Sequence, residues 1–420
     1  MGHSILILLL LAVVGIEALA TGKAIFYNLA YSLLGITGLS YLWTWYNVNW
    51  VQLERETLSL HSQVGKTAEE RFLVRNRGPL PKLWLEVRDQ SDLPEHRASM
   101  VIASLAAGRH RGWAVRTTCW RRGRYRLGPL TLISGDPFGL FVRRQHLVAT
   151  SNIVVYPLTV ELPRFGALTG ELIGGGAHHR RTHYVTTNVC GVREYYPGDS
   201  FNRIHWPSTA RTGRLIVKEF ELDPTADVWL FVDMEGAAQV ERPPGGLPGA
   251  GGELLGLAGR SRPALDAASE EYVVAIAATL AKHFLERNRA VGLLAHSEHR
   301  ETVQPERGER QLTKILEMLA VLRARGHVGI AQLLAAEGTV FGRNSVAVVI
   351  TPSSELAWVA VLRDLGRRGV RGAGVVVDAA SFGAPRQAAA VLQALADAGI
   401  AAYRVREGDL LAEVLASPVA

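Results

Sequence analysis

Two long apolar runs near the start of the chain constrain its fold more than any other feature. Residues 5–20 are almost wholly apolar, and residues 24–45 form a second such run that ends in a cluster of Tyr and Trp residues. A helix needs about 20 residues to cross a hydrocarbon core, and aromatic side chains are enriched where helices leave the membrane. The pattern predicts a transmembrane helical hairpin over residues 1–50, with its turn at residues 21–23.

A cleaved signal peptide is the alternative for the first run, because residues 18–20 read Ala-Leu-Ala and resemble a small-residue cleavage site. The chain opens Met-Gly-His-Ser, without the usual basic residues, and cleavage would leave the second run unexplained. We therefore expect a two-pass anchor in contact with membrane lipid. Basic residues are frequent after the second run, whereas the turn carries only Lys23. This bias predicts a cell-membrane protein with cytoplasmic soluble domains.

Two patterns of hydrophobicity divide the rest of the chain. Residues 51–163 alternate between apolar and polar side chains in short runs separated by turn residues, which predicts a β-sandwich. From residue 226 to residue 420, short buried strands alternate with amphipathic helices, which predicts a doubly wound α/β domain around a parallel sheet. We assign residues 164–225 to a linker and signature segment. The fold class is therefore a multidomain α+β protein.

The charge and cysteine content narrow the classes of partner. The formal net charge is +7 over 420 residues, but no nucleic-acid-binding motif surrounds the basic clusters, so we expect these cations to meet anionic lipid and no nucleic acid to bind. The two cysteines, Cys119 and Cys190, imply no disulfide framework and suit a reducing compartment. Glycine-rich residues 245–252 match no phosphate-binding pattern, so no cofactor is expected.

The most distinctive stretch is GVREYYPGDSFNRIHWPSTARTGRLIVKEFE, residues 191–221, where charged and aromatic side chains alternate densely. Its arginines have carboxylate partners within reach for bidentate pairs. The stretch can thus be a structural polar network, a partner-docking surface or a catalytic site. The predicted site residues are Arg193, Glu194, Tyr195, Gly198, Asp199, Arg203, His205, Trp206, Arg211, Lys218 and Glu219.

Several motifs in this stretch resemble the family called domain of unknown function 58. They are R-E-Y-Y-P-G-D at residues 193–199, R-I-H-W at 203–206 and A-R-T-G-R-L at 210–215, with G-D-P-F-G-L-F at 135–141. The resemblance covers almost the whole chain. It implies a von Willebrand factor A-like C-terminal domain, and partners among MoxR-type AAA ATPases and transglutaminase-like proteins.

Many von Willebrand A domains hold Mg²⁺ through hydroxyl and carboxylate oxygens, the hard ligands that this ion requires. Here the first loop offers only Asp233 and Glu235, which are weak candidates, and we expect no metal. The histidines His178, His179 and His183 have no carboxylate or Cys at ligand spacing, which favours a solvated loop over a metal site.

The sequence therefore favours a non-enzymatic, membrane-anchored adaptor or scaffold in cell-envelope or complex-assembly processes. Its α/β domain would dock a protein partner, and His205 and Trp206 are the signature residues best suited to docking. The alternative is a hydrolase or metal-dependent enzyme that uses His205, Asp199 and Glu194. A general base at His205 needs a nucleophile nearby, and the sequence shows none.

Overall fold

The computed structural model describes residues 2–162, 189–196, 201, 204–220, 227–241, 265–338, 341, 345–385 and 387–419. These residues form two compact units. One is built mainly from Met1–Leu158, and the other mainly from Thr159–Leu247, Ala267–Ile315 and Arg323–Ala420. The domain boundaries expected from the sequence stay predictions.

The first unit begins with two apolar helices, α1 (Gly2–Thr21) and α2 (Ala24–Val48), that contact each other. Gly22, with a φ of 66°, makes the turn between them. Their large apolar side chains are widely exposed, which suits a lipid environment. Among the described residues, α2 alone is long and apolar enough to cross a membrane. The second span and the orientation of the hairpin stay predictions.

Ten short strands follow, and polar and apolar side chains alternate along them because successive residues face opposite sides of a sheet. They are β1 (Val51–Thr57), β2 (His61–Gln63), β3 (Thr67–Asn76), β4 (Lys82–Asp89), β5 (Met100–Leu105), β6 (His110–Thr118), β7 (Gly123–Leu127), β8 (Leu130–Gly135), β9 (Val142–Leu147) and β10 (Ser151–Tyr156). They pair in the orders β1-β3-β6, β5-β4-β8-β9 and β2-β10-β7. All pairs are antiparallel except β2 with β10.

One apolar cluster joins the first two of these sheets. Phe72 and Val74 from β3 pack in the same cluster as Leu85 from β4 and Leu132 from β8, and Val48 from the end of α2 is a fifth buried member. We call the part of the first unit formed by β1–β10 the β-rich unit. The last turn of α2 therefore contributes to the core of the β-rich unit.

A buried ionic network ties β1, β3 and β4 to the loop before β5. The Arg55 guanidinium donates to Glu70 at 2.8 Å and to Asp89 at 3.1 Å. His96 Nε2 lies 3.0 Å from Glu70 and 3.1 Å from Asp89, while His96 Nδ1 lies 2.8 Å from Thr117 Oγ1. Two cations thus face two carboxylates. Although burial opposes ionisation, the carboxylates raise the pKa of His96 to about 9, and His96 and Arg55 keep the pKa values of both carboxyl groups low.

The second unit contains a six-stranded sheet whose strands alternate with helices. In chain order the elements are β13 (Val228–Val232), α4 (Ser269–Glu286), β14 (Val291–His296), β15 (Arg300–Glu306), α5 (Glu309–Val321), α6 (Ile330–Ala336), β16 (Val346–Thr351), α7 (Ala357–Arg367), β17 (Arg371–Val377), a 3-10 helix (Ala379–Phe382), α8 (Ala389–Asp397), β18 (Ala401–Val405) and α9 (Leu411–Val414). Two further strands, β11 (Val189–Glu194) and β12 (Ile216–Phe220), and the helix α3 (Trp206–Thr212) belong to the signature segment and are described with it below.

The strand order is β15-β14-β13-β16-β17-β18, and all neighbours are parallel except β14 with β15. Strands β13 and β16 are buried along their whole length, as expected of a sheet covered on both faces. The direction of winding reverses at β13, since β14 lies on one side of it and β16 on the other. Such a switch point is where open α/β sheets form clefts.

The buried network predicts a pH-dependent stability. The folded-state pKa of His96 is about 9 and its ordinary value is 6.5. The contribution of His96 to the free energy of unfolding is therefore complete below pH 6.5 and is lost as the pH rises through 9. The loss should be on the order of 3 kcal/mol. We expect denaturant titrations of the detergent-solubilised chain to show stability falling between pH 6.5 and 9, and His96→Gln to remove that slope. An unchanged slope in the variant would contradict the assignment.

Candidate functional site

The signature segment folds as a β-hairpin whose two strands are joined across a short helix. Strand β11 (Val189–Glu194) pairs antiparallel with β12 (Ile216–Phe220), and α3 (Trp206–Thr212) lies between them in sequence. Pro207 is placed in the first helical turn, where its missing N–H costs nothing. Gly213 ends the helix in the left-handed conformation with a φ of 69°.

Backbone hydrogen bonds and three buried side chains hold this hairpin together. His205 N donates to Ile216 O at 2.8 Å, and Tyr195 N donates to Leu215 O at 2.9 Å. Ile204, Ile216 and Val217 are buried. The described part of the segment is thus stabilised by apolar packing and by hydrogen bonds between backbone groups.

Glu194, Arg211 and Arg214 are exposed charged residues of the described part. Arg214 Nη1 donates to Glu194 Oε1 at 2.8 Å, and both side chains are largely exposed. Arg193 Nη1 donates to the carbonyl oxygen of Glu194, and its guanidinium carbon lies 5.9 Å from the centre of the Tyr196 ring. Several arginines of the segment are possible partners of Glu194 in the sequence, and in the structure its carboxylate pairs with Arg214. An exposed pair of this kind is screened by water and stabilises little.

Four of the predicted site residues cannot be placed in this geometry. Gly198, Asp199 and Arg203 lie outside the described residues, and the side chain of Glu219, on β12, is not described. The polar network that they would complete stays a prediction. Arg211 is exposed in the last turn of α3, and Lys218 is partly buried on β12.

Aromatic side chains stand out from the same hairpin. Tyr196, Phe201 and Trp206 are 68%, 69% and 65% exposed, and Phe201 packs against Tyr195 with ring centres 5.8 Å apart. Three large exposed aromatic groups within one short hairpin make it a candidate interaction site. Trp206 is thus exposed, as docking requires.

His205 has a hydroxyl partner that the sequence analysis missed. His205 Nδ1 lies 2.7 Å from Ser208 Oγ. His205 is the N-cap residue of α3, and Ser208 lies three positions later, so the two side chains meet at the start of the helix. The i, i+3 spacing of these two residues in the sequence could have predicted their contact. The same geometry is also that of a base beside a nucleophile.

A second polar cluster lies at the carboxyl ends of β13 and β16. The buried Asp233 carboxylate accepts from Thr351 Oγ1 at 2.5 Å and from the Glu235 backbone N–H at 3.1 Å. Burial raises the pKa of Asp233 to about 6, and the nearby carboxylates of Glu235 and Glu355 also raise it.

A cleft of about 540 Å³ adjoins this cluster. It is lined by Glu235, Gly236, Ala237, Glu298, Arg325, Gly326 and His327. Gly326 is required there, because a Cβ atom would lie 2.3 Å from the carbonyl oxygen of His296. Arg325 donates to Glu298 at 2.9 Å across the rim. The sequence analysis did not assign these cleft residues beyond Glu235.

Metal binding at Asp233 is poorly supported by this donor set. Both carboxylate oxygens of Asp233 already accept hydrogen bonds from the protein. Within the part of the chain that the structure describes, three or more His, Cys, Asp or Glu residues do not come together in a possible metal group. The histidines His178, His179 and His183 lie outside the described residues.

Comparisons with known proteins centre on the signature segment. Residues 191–241 match the family model "Protein of unknown function DUF58". The chain is 24% identical over 242 residues to the uncharacterized protein YeaD of Bacillus subtilis, and this match covers 54% of the chain and 59% of YeaD. The chain therefore spans less than two thirds of that relative.

Two solved structures show partial likeness. The conserved hypothetical protein BatB from Bacteroides thetaiotaomicron is 11% identical, with a TM-score of 0.30 over 46% of this chain and 95% of BatB. The CARDB domain of the PF1109 protein from Pyrococcus furiosus, in complex with di-metal ions, is 18% identical, with a TM-score of 0.20 over 25% of this chain and 91% of that domain. At these TM-scores neither likeness carries an argument about fold or function.

Each oxygen of the Asp233 carboxylate accepts a protein hydrogen bond, and the described residues bring no group of three possible metal ligands together, so we expect indifference to divalent cations. A ligand at 100 times its dissociation constant would add about 2.7 kcal/mol of stability. We expect millimolar Mg²⁺ or Mn²⁺ to leave the melting temperature of the detergent-solubilised chain unchanged. An upward shift that is removed by Asp233→Ala, but not by the exposed control Asp364→Ala, would contradict this expectation.

Proposed function

We propose that the protein is a membrane-anchored, non-enzymatic adaptor whose α/β domain docks a protein partner in cell-envelope or complex-assembly work. In this proposal the two apolar helices form a two-pass anchor and the soluble domains are cytoplasmic. The β-rich part is a β-sandwich, and the C-terminal part is a von Willebrand A-like domain. The proposed partner is a MoxR-type AAA ATPase, with a transglutaminase-like protein as the second candidate.

The observation that carries the proposal is the exposed aromatic surface of the signature hairpin. Tyr196, Phe201 and Trp206 are exposed on it, and the same hairpin carries the exposed ion pair of Glu194 and Arg214. Protein interfaces concentrate their binding energy in Trp, Tyr and Arg within a polar rim. This composition supports a protein partner rather than a small substrate, which would need a concave apolar pocket.

The strand order supports the von Willebrand A-like assignment that the sequence resemblance implies. Five parallel strands and one antiparallel edge strand wind in two directions from β13. Asp233 and Thr351 end two adjacent strands at the switch point, where a domain of this class would present its ligand-binding edge.

The second candidate function, a hydrolase, rests on the pair His205 and Ser208. Their 2.7 Å contact supplies the nucleophile and base that the alternative requires. Hydrolysis of an ester substrate that is lost in both His205→Ala and Ser208→Ala, with the fold unchanged, would favour this candidate over the adaptor.

Truncation of the Trp206 side chain should distinguish a loss of partner docking from a loss of folding. Because Trp206 is exposed, Trp206→Ala should leave the melting temperature unchanged and weaken capture of the purified MoxR-type ATPase by about tenfold or more, as expected for a hot-spot residue. Leu356→Ala, which truncates another exposed apolar side chain of the same unit, is the matched control. Equal capture by the wild type and both variants would contradict the proposed docking surface.

A further inference from the structure

The last two turns of α2 are packed against the β-rich unit rather than left free. Ser40, Thr44, Asn47 and Val48 are the buried residues of α2, and their spacing places them on one face of the helix. This face contacts β4, β8 and β9. The β-rich unit therefore reaches along α2 as far as Ser40.

This packing overlaps with the length that a membrane span needs. Helix α2 has 25 residues, and if all residues from Ser40 onward lay in water, only residues 24–39 would remain for the bilayer. Sixteen residues extend about 24 Å, which is short of the roughly 30 Å hydrocarbon core. The part of the β-rich unit that packs beside Ser40 must then lie at the depth of the bilayer surface.

The loop between β8 and β9 is the part of the unit that lies beside this stretch. The Phe141 ring meets the Tyr41 ring edge-on, with centres 5.8 Å apart. Asp136 fixes the loop, because its carboxylate oxygens accept from the backbone N–H groups of Phe138 and Phe141 at 2.9 Å and 2.6 Å. Phe138 is held at the exposed tip, with 62% of its surface accessible. The loop thus presents a phenyl ring to its surroundings on a preformed turn.

Further apolar side chains are exposed around this loop. Val142, which begins β9, and Trp84, on β4, both approach within 4 Å of a Cβ position built at Gly135, so they neighbour each other. Leu83 and Trp84 are both exposed although they are consecutive, and Trp84 has a positive φ of 49°. A bulky residue rarely adopts that backbone conformation, which costs about 1–3 kcal/mol. Such strain is typical of positions retained for function.

We propose that these side chains form a collar that inserts into the interface of the bilayer that α2 crosses. The collar consists of Tyr41, Leu83, Trp84, Phe138 and Val142. Aromatic and aliphatic groups are stable at the boundary between hydrocarbon and headgroups. Arg143 and Arg144 are exposed on β9, directly after Val142, where they can meet anionic headgroups.

This proposal gives the G-D-P-F-G-L-F motif a role. Its Asp caps the turn, and its first Phe enters the membrane interface. The inference rests on the proposed function in one respect, namely that α2 is a membrane span. In that case the collar is a lipid-binding surface on the β-rich unit, next to the span.

The test uses the full chain in liposomes of phosphatidylcholine and phosphatidylglycerol. Cys119 and Cys190 are replaced by Ala, and a nitrobenzoxadiazole fluorophore is attached to one new cysteine at a time. Phe138→Cys reports on the loop and Leu34→Cys on the middle of α2. Val148→Cys is the matched control, because Val148 is 91% exposed and lies six residues along from Val142, about 20 Å in an extended strand.

The collar predicts three different quenching patterns. The Leu34 label should lose its fluorescence to nitroxides deep in the acyl chains, the Phe138 label to nitroxides near the headgroups, and the Val148 label only to aqueous iodide. If the Leu34 label is quenched by lipid while the Phe138 label behaves like the Val148 label, the collar is wrong and the anchor stands. If the Phe138 label is shielded from iodide and from lipid nitroxides alike, a protein covers the loop and the collar is wrong. A Leu34 label that lipid nitroxides do not quench would refute the span itself, and the collar with it.

Discussion

The Lys82 ammonium group joins β4 to the end of α2. It is fully buried and donates to the carbonyl oxygens of Tyr46 and Asn49, at 2.5 Å and 3.0 Å, at the end of α2. It also lies 3.4 Å from the centre of the Tyr46 ring. Burial lowers the pKa of Lys82 to about 8, yet a cation is favoured there because the last helical carbonyls carry negative partial charge. A strand residue therefore closes the C-terminus of a helix.

Neighbouring contacts follow from this arrangement. Asn47 Nδ2 donates to Leu83 O, and the Tyr46 hydroxyl accepts from Leu80 N at 2.6 Å. With these bonds in place, Val48 enters the core of the β-rich unit. The end of α2 and the start of β4 thus form one structural element.

The sequence predicted those features that depend on local periodicity. The period-two pattern of residues 51–163 is found as ten strands, and the strand-and-helix alternation after residue 226 is found in β13, α4 and the elements that follow them. Short elements were missed, such as α6, because seven residues carry too few turns for a recognisable period.

Pairings between distant residues could not be predicted. Glu194 meets Arg214 because the hairpin register brings them together across 20 positions. Asp233 meets Thr351 because β13 and β16 are neighbours although 118 residues separate the two side chains. Lys82 reaches α2 through tertiary packing. The sequence contains many equally acceptable partners for each charge, and only the fold selects among them.

The last turn of α2 is part of the β-rich unit. The melting temperatures of two fragments, one beginning at Thr44 and one at Val51, test this packing. Loss of a buried Val costs about 1.5–3 kcal/mol, and stranding the Lys82 ammonium without its carbonyl partners costs about 1–3 kcal/mol more. The account predicts that the fragment beginning at Val51 melts well below the longer one or fails to fold. Equal melting temperatures for the two fragments would contradict it.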